Sequence, residues 1–243
     1  MALNPAFKKH VVIVTGCHRS GTSVTAYILQ QLGIQLGTNL LKGPEFSNPD
    51  GHFEDLDLMQ IHDKVMLENH MLWHNIMKCF TIDRVKDLSR SLDNHRYWYV
   101  LYKQKLEKYN NIDTCFGYKD PRLSIMLDIV CKKLKQDGYI PVVFLCWRNC
   151  HDIAQSLIKR DHFTIEKAMN VATSYQFILG STMVPFLEHH NIEYLNITFE
   201  RLVTRPAHIV KEIASFVQSV IGLHIRPISI QKAIEVVRVR PAI

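Results

Sequence analysis

The chain has six cysteines, but no CxxC pair and no metal-ligand spacing with its thirteen histidines. That absence argues against a zinc site or a dithiol redox centre. Cys17, Cys79, Cys115, Cys131, Cys146 and Cys150 instead read as free thiols of a reducing compartment, four of them inside or beside apolar stretches. No apolar run reaches the ~18 residues that span a bilayer. Met1 to Lys9 lacks the apolar core and small-residue cleavage site of a signal peptide. Lys and Arg never run longer than a pair, and no helical pattern carries a basic stripe. The net charge of +6 is therefore spread over the surface, which favours an anionic small ligand over nucleic acid or a membrane as partner. Internal repeats and low-complexity segments are absent too. The expectation is a soluble, cytoplasmic chain.

What is present alternates strand and helix. Val11-Val12-Ile13-Val14 is a continuous β-branched run, as in a strand buried on both faces of a parallel sheet. A glycine-bearing loop, Gly16 to Gly21, follows it. Val24, Tyr27, Ile28 and Leu32 then repeat at helical spacing until Gly33. Ile34 to His52, rich in Gly, Asn and Pro, predicts a long loop. Helices are predicted over Glu54–Glu68 and Arg84–Tyr109, interrupting the alternation as an insertion or lid at about 54–112. Strands resume at Thr114–Tyr118, Pro141–Cys146 and Glu193–Ile197. Helices are predicted at Leu123–Leu134, Asp152–Arg160 and Ile165–His189, with a last one carrying Ile209 to Val220. The fold class is therefore α/β: one domain over 1–243, a P-loop-type parallel sheet with helices on both faces and a helical insertion.

Gly16-Cys17-His18-Arg19-Ser20-Gly21-Thr22-Ser23 has the Gly-x4-Gly spacing of a phosphate-binding loop, with Thr22 where the nucleoside triphosphatase motif has Lys. Glycines let successive N–H groups turn inward around an anion, and the next helix adds its positive end. The loop's cation is Arg19, three positions before the missing Lys, which points to a donor with a shorter anionic chain. Arg148 closes the strand Val142–Trp147, and Ser156 lies two turns into the following helix. A strand-end guanidinium and a helical hydroxyl at that spacing can converge on one phosphate.

At these residues the chain resembles the sulfotransferase family, above all bacterial members with a Gly-x-His-Arg-Ser-Gly-Thr-Ser loop. Asn48-Pro49-Asp50-Gly51-His52-Phe53-Glu54-Asp55 and Lys119-Asp120-Pro121-Arg122 are similar to further segments of those members. Ile197-Thr198-Phe199-Glu200-Arg201-Leu202 stands where the family often has Tyr-Glu, then Asp or another residue, then Leu, with Phe199 replacing the Tyr and Arg201 departing from the acidic choice. The glycine-rich C-terminal phosphate loop of animal cytosolic members is missing after Val220.

The resemblance implies an enzyme that moves a sulfuryl group from 3′-phosphoadenylyl sulfate to a hydroxyl or amine of a small-molecule or glycan acceptor, without a metal. It implies that Gly16, His18, Arg19, Ser20, Gly21, Thr22 and Ser23 hold the 5′-phosphosulfate end, and Arg148 and Ser156 the 3′-phosphate. The His base of cytosolic members is replaced by Pro121, so Glu54 is the matching base, with Asp55 second. Arg19 would meet the leaving oxygen. Lys119 either stabilises the transferring group or pairs with Asp120. His18 and His52 border the site. Arg90, Arg96, Tyr97, Trp98, Tyr99 and Lys103 would suit a sugar or anionic glycan, or simply pack and solvate a helix. Two other readings stay open: a P-loop kinase for a small metabolite, which wants Lys at position 22 and a metal-binding Asp, and a non-catalytic nucleotide-binding module.

Overall fold

A computed structural model of the chain describes residues 10–42, 51–76, 90, 96–109 and 115–239. The described strands are β1 (His10–Gly16), β2 (Ile34–Leu36), β3 (Cys115–Lys119), β4 (Ile140–Trp147) and β5 (Tyr194–Thr198). They form one sheet in the order β2-β3-β1-β4-β5, every pairing parallel. β1 takes the centre because its β-branched run has no polar face to show to water. Val11 and Ile13 enter one core and Val12 and Val14 the other.

The first core collects α2 (Leu56–Glu68), α3 (Arg96–Tyr109), α4 (Leu123–Gln136), α5 (Cys150–Asp161) and α6 (Ile165–Ile178). The second collects α1 (Thr22–Gln31), α9 (Pro206–Ile221) and α10 (Pro227–Val239), while α7 (Val184–His189) and α8 (Phe199–Thr204) flank β5. This is the α/β class expected from sequence: a five-stranded parallel sheet with a helical layer on each face.

Three elements differ from the sequence reading. Ile34–Leu36, expected as loop, is an edge strand. Its three residues are too few to show a period, and the ladder to Cys115–Gly117 supplies what the local pattern lacks. The long helix expected over Ile165–His189 is broken by a π-turn at Leu179–Met183, just before Pro185 removes a backbone donor. Helices also do not end at α9. Pro227 starts α10, whose Ile230, Ala233, Ile234 and Val237 pack at helical spacing into the second core.

Between β2 and β3 the chain runs through α2 and α3, which the buried Tyr102, Leu106, Leu58 and Val65 tie into the first core. Expectations resting on 43–50, 77–89, 91–95 and 110–114 lie outside the described residues. No described helix is long and apolar enough to cross a membrane.

Candidate functional site

The loop after β1 sits at the carboxyl edge of the sheet, where open parallel sheets hold their ligands. Its turn depends on two glycines. A Cβ on Gly16 would lie 2.4 Å from the Cys146 carbonyl oxygen, and one on Gly21 2.7 Å from the Phe199 ring. Both have positive φ, 150° and 96°. Arg19 also sits at φ 68°, a left-handed conformation that costs a non-glycine residue about 1 kcal/mol or more. Ser20 ties the bend by donating its N–H and hydroxyl to the Cys17 carbonyl at 3.1 and 2.7 Å. Beyond it α1 begins with no side-chain cap and no acid in its first turn, which leaves its positive end open to an anion.

Arg19, Arg148 and Ser156 come together around this loop from three elements. Arg19 Nε donates to Ser156 Oγ at 2.8 Å, and Arg148 Nη1 donates to the Arg19 carbonyl at 3.0 Å. Asn149 caps α5 by accepting from His151 N–H at 2.8 Å, which sets the helix origin that carries Ser156 to this place. Gln176 donates to the Arg148 carbonyl, and the Arg148 guanidinium lies 4.3 Å from the Phe199 ring centre. Burial lowers the Arg19 pKa to about 10, aided by the like charges of Arg160 and Arg148. Arg148 is lowered by burial as well. Two half-buried guanidiniums held this close favour a bound anion.

A second cluster joins β3 to the start of α2. Lys119 Nζ donates to Glu54 Oε1 at 2.6 Å, and Arg122 Nη1 donates to Glu54 Oε2 at 3.0 Å. Glu54 and Lys119 are 4% and 3% exposed, so this pair is buried. The expected alternative of a Lys119–Asp120 pair is not the one formed. Asp120 accepts from Arg122 Nη1 at 3.0 Å and from His62 Nδ1 at 2.7 Å, and Tyr102 OH donates to His62 Nε2 at 3.0 Å. Burial by itself would raise the Asp120 pKa, but Arg122 and His62 hold it well below the usual carboxylate range. Asp55 caps α2 and is fixed by Lys105 of α3, at 2.6 Å.

Two imidazoles lie between the clusters. His18 is packed 4.3 Å from Trp73 and edge-on to Tyr175 at 5.8 Å, and its Nε2 has no hydrogen-bond partner among the described residues. Burial, then Arg122, Arg160 and Lys119, push its pKa well below the ordinary value, so the ring is neutral at pH 7. His52 is lowered by burial and by Lys119, against the opposing pull of Glu54. Its carbonyl accepts from Ser23 Oγ at 3.4 Å.

The sequence reading missed Arg160, whose guanidinium is gripped by Asp161 at 2.7 Å and lies 5.5 Å from the Trp73 ring. Its only sequence signal was a position one turn past Ser156. Of the residues expected near an acceptor, Tyr99 donates to the Lys133 carbonyl at 3.1 Å and Lys103 pairs with Asp137 at 3.6 Å. Both are engaged by the α4 end. Among the described residues no three His, Cys, Asp or Glu side chains cluster as a metal-ligand set.

No family model matches the chain, and no curated protein matches it. Among solved structures, a sulfotransferase of Mycobacterium tuberculosis aligns over 93% of this chain and 71% of its own, at 13% identity and a TM-score of 0.53. The sulfotransferase domain of a Synechococcus olefin synthase aligns over 96% of this chain and 78% of its own, at 12% identity and a TM-score of 0.50. At such identities the likeness establishes a shared fold.

Proposed function

We propose that the chain is a sulfotransferase that uses 3′-phosphoadenylyl sulfate as donor. The observation that carries this reading is the meeting of Arg19, Arg148 and Ser156 at a phosphate loop that has Thr22 in place of Lys. A nucleoside triphosphate would need the missing cation at position 22 for its β- and γ-phosphates. A nucleotide with a 3′-phosphate instead needs a second anion site, and Arg148 with Ser156 supports one. The sulfotransferases that share the fold agree with the assignment.

The donor supplies a sulfuryl group on a good leaving phosphate. The bond from sulfur to the bridging oxygen breaks as the acceptor oxygen bonds to sulfur, and the electron pair stays on the 5′-phosphate. Arg19 and the loop N–H groups receive that charge, and Thr22 and Ser23 add hydroxyl donors. Lys119 serves the sulfuryl oxygens. Lys119 and Arg122 each hold one oxygen of Glu54, so the lone pairs that remain become the stronger base for the acceptor proton as Lys119 turns toward the sulfuryl group. The Lys119–Glu54 pair thus couples donor engagement to base availability.

Calorimetry with adenosine 3′,5′-bisphosphate, ATP and AMP tests the assignment. The bisphosphate is expected to bind far more tightly than the other two. Arg148→Ala should cost about 2–5 kcal/mol of bisphosphate affinity and much less for adenosine 5′-monophosphate, which has no 3′ group. ATP binding as tight as the bisphosphate would point to a kinase. Equal weakening of both ligands would make Arg148 a structural prop of the loop.

A further inference from the structure

We infer that Arg160 binds the sulfuryl group of the donor, so that the sulfated nucleotide is held more tightly than the spent one; this rests on the sulfotransferase reading above. Arg160 stands on α5 one turn beyond Ser156, and residues four apart share a helix face. Ser156 Oγ accepts from Arg19 Nε at 2.8 Å, so that face is turned to the phosphate loop. The Arg160 guanidinium lies 5.5 Å from the Trp73 ring centre, and the Trp73 ring packs 4.3 Å from His18, the loop residue before Arg19. Arg160 is thus tied to the loop from two directions, through Ser156 to Arg19 and through Trp73 to His18. After burial, Arg160 depresses the Arg19 pKa most, ahead of Arg148.

Arg148 and Arg160 flank Arg19 on opposite faces of the sheet. Arg148 lies over Phe199, which packs on the second core, whereas Trp73, beneath Arg160, packs on the first. The first-core face is also that of α2, at whose start Glu54 meets Lys119. Both Lys119 and Arg160 act on His18 and His52. The donor's anionic groups then follow one order: the 3′-phosphate beside Arg148, the 5′-phosphate in the loop, and the sulfuryl group on the side of Arg160 and Lys119.

The guanidinium is set for an oxygen ligand. Asp161 accepts from its Nε and Nη2 at 2.8 and 2.7 Å, which fixes one edge of the fork. Nη1 has no partner among the described residues. The sulfuryl group offers only acceptor oxygens, and the guanidinium only donors. On transfer the bond from sulfur to the bridging oxygen breaks and the sulfuryl group leaves on the acceptor. Arg160 then loses its ligand, while Arg148, Ser156 and the loop keep theirs, and this favours release of the spent nucleotide.

The test is calorimetry on the full chain, without acceptor, using 3′-phosphoadenylyl sulfate and adenosine 3′,5′-bisphosphate. Charge alone does not separate them, because a 5′-phosphate carries about two negative charges at neutral pH, as a phosphosulfate does. Wild type should bind the sulfated nucleotide more tightly. Arg160→Gln should weaken that ligand about tenfold or more and the bisphosphate less than about twofold. Arg160 is half-buried in the last turn of α5, and the retained bisphosphate affinity reports that the variant has folded. Should it not fold, Arg160→Lys, which keeps the charge without the fork, makes the same comparison and should lose part of the same preference. Failure of the wild type to bind either nucleotide would sink the sulfotransferase reading, and this one with it. Tight wild-type binding of both, with the variant unchanged or weakening both equally, would overturn the Arg160 assignment alone.

Discussion

Glu54→Gln is expected to lower kcat by about 10²–10⁴-fold, the usual contribution of a general base, with affinity for adenosine 3′,5′-bisphosphate nearly unchanged. The substitution keeps size and shape but removes the group that takes the acceptor proton. It also disturbs packing, because the carboxamide turns an N–H₂ toward either Lys119 or Arg122, where the carboxylate gave each an oxygen. Arg122 keeps Asp120 and Asp63, whereas Lys119 is left buried without its carboxylate. Breaking one side of a buried pair typically costs about 3–5 kcal/mol of stability, so the melting point must be measured beside the rate. Lys119→Met separates the two roles. It removes the cation that the sulfuryl group needs and leaves Glu54 held by Arg122, so kcat should fall while acceptor KM changes little. A folded Glu54→Gln protein with near-normal kcat would reduce Glu54 to an ion-pair anchor at the start of α2.

Much of this site was legible along the chain, and the reason is local. β1 and β4 announced themselves because a strand buried on both faces must be apolar throughout, as Val11–Val14 and Val142–Cys146 are. The loop could be read because Gly16 and Gly21 are needed at fixed spacing by their backbone angles. Arg148 and Ser156 were found as a pair because the resemblance to the sulfotransferases marks a strand-end Arg with a Ser eight residues on, an offset that the Asn149 cap of α5 holds in the fold. What escaped was pairing between distant segments. Nothing near Glu54 says that its partner is Lys119, 65 residues on, or that Lys105 clamps Asp55. Lys119 and Asp120 are neighbours in sequence, which suggested that they pair. In the fold, however, Lys119 at the end of β3 meets Glu54, and Asp120, just past the strand, meets Arg122 and His62. Arg160 was missed for a related reason. A charged residue in the last turn of a helix is ordinarily solvated, and only the fold brings this one against Trp73 and into the field of Arg19.

The other large effect is expected at Asp120, which the proposed chemistry does not touch. Asp120 is 3% exposed and accepts from Arg122 N–H at 2.9 Å, Arg122 Nη1 at 3.0 Å and His62 Nδ1 at 2.7 Å. Its own backbone is fixed by its N–H on the Val14 carbonyl at 3.1 Å and by Thr15 Oγ1 donating to its carbonyl at 2.9 Å. It therefore ties β1 to β3 immediately behind the phosphate loop, and with Asp63 it pins Arg122 beside Glu54. Asp120→Asn keeps the shape, offers one oxygen where two accepted, and sets an N–H₂ against a donor. A loss of about 3 kcal/mol is expected, or roughly 6–12 °C in Tm for a domain of this size. The pH dependence separates the charge from the shape. A carboxyl whose folded pKa lies below its unfolded value of about 3.9 contributes its stability above that pH and loses it as the pH falls toward the folded pKa. The gap between wild type and Asp120→Asn should therefore be full at neutral pH and shrink steadily below about pH 4. Denaturant titrations of both proteins across that range give the answer. A variant as stable as wild type at neutral pH, or a gap that persists undiminished into acid, would mean that the ionised Asp120 carboxylate is not what holds Arg122 and the loop's supporting strand in place.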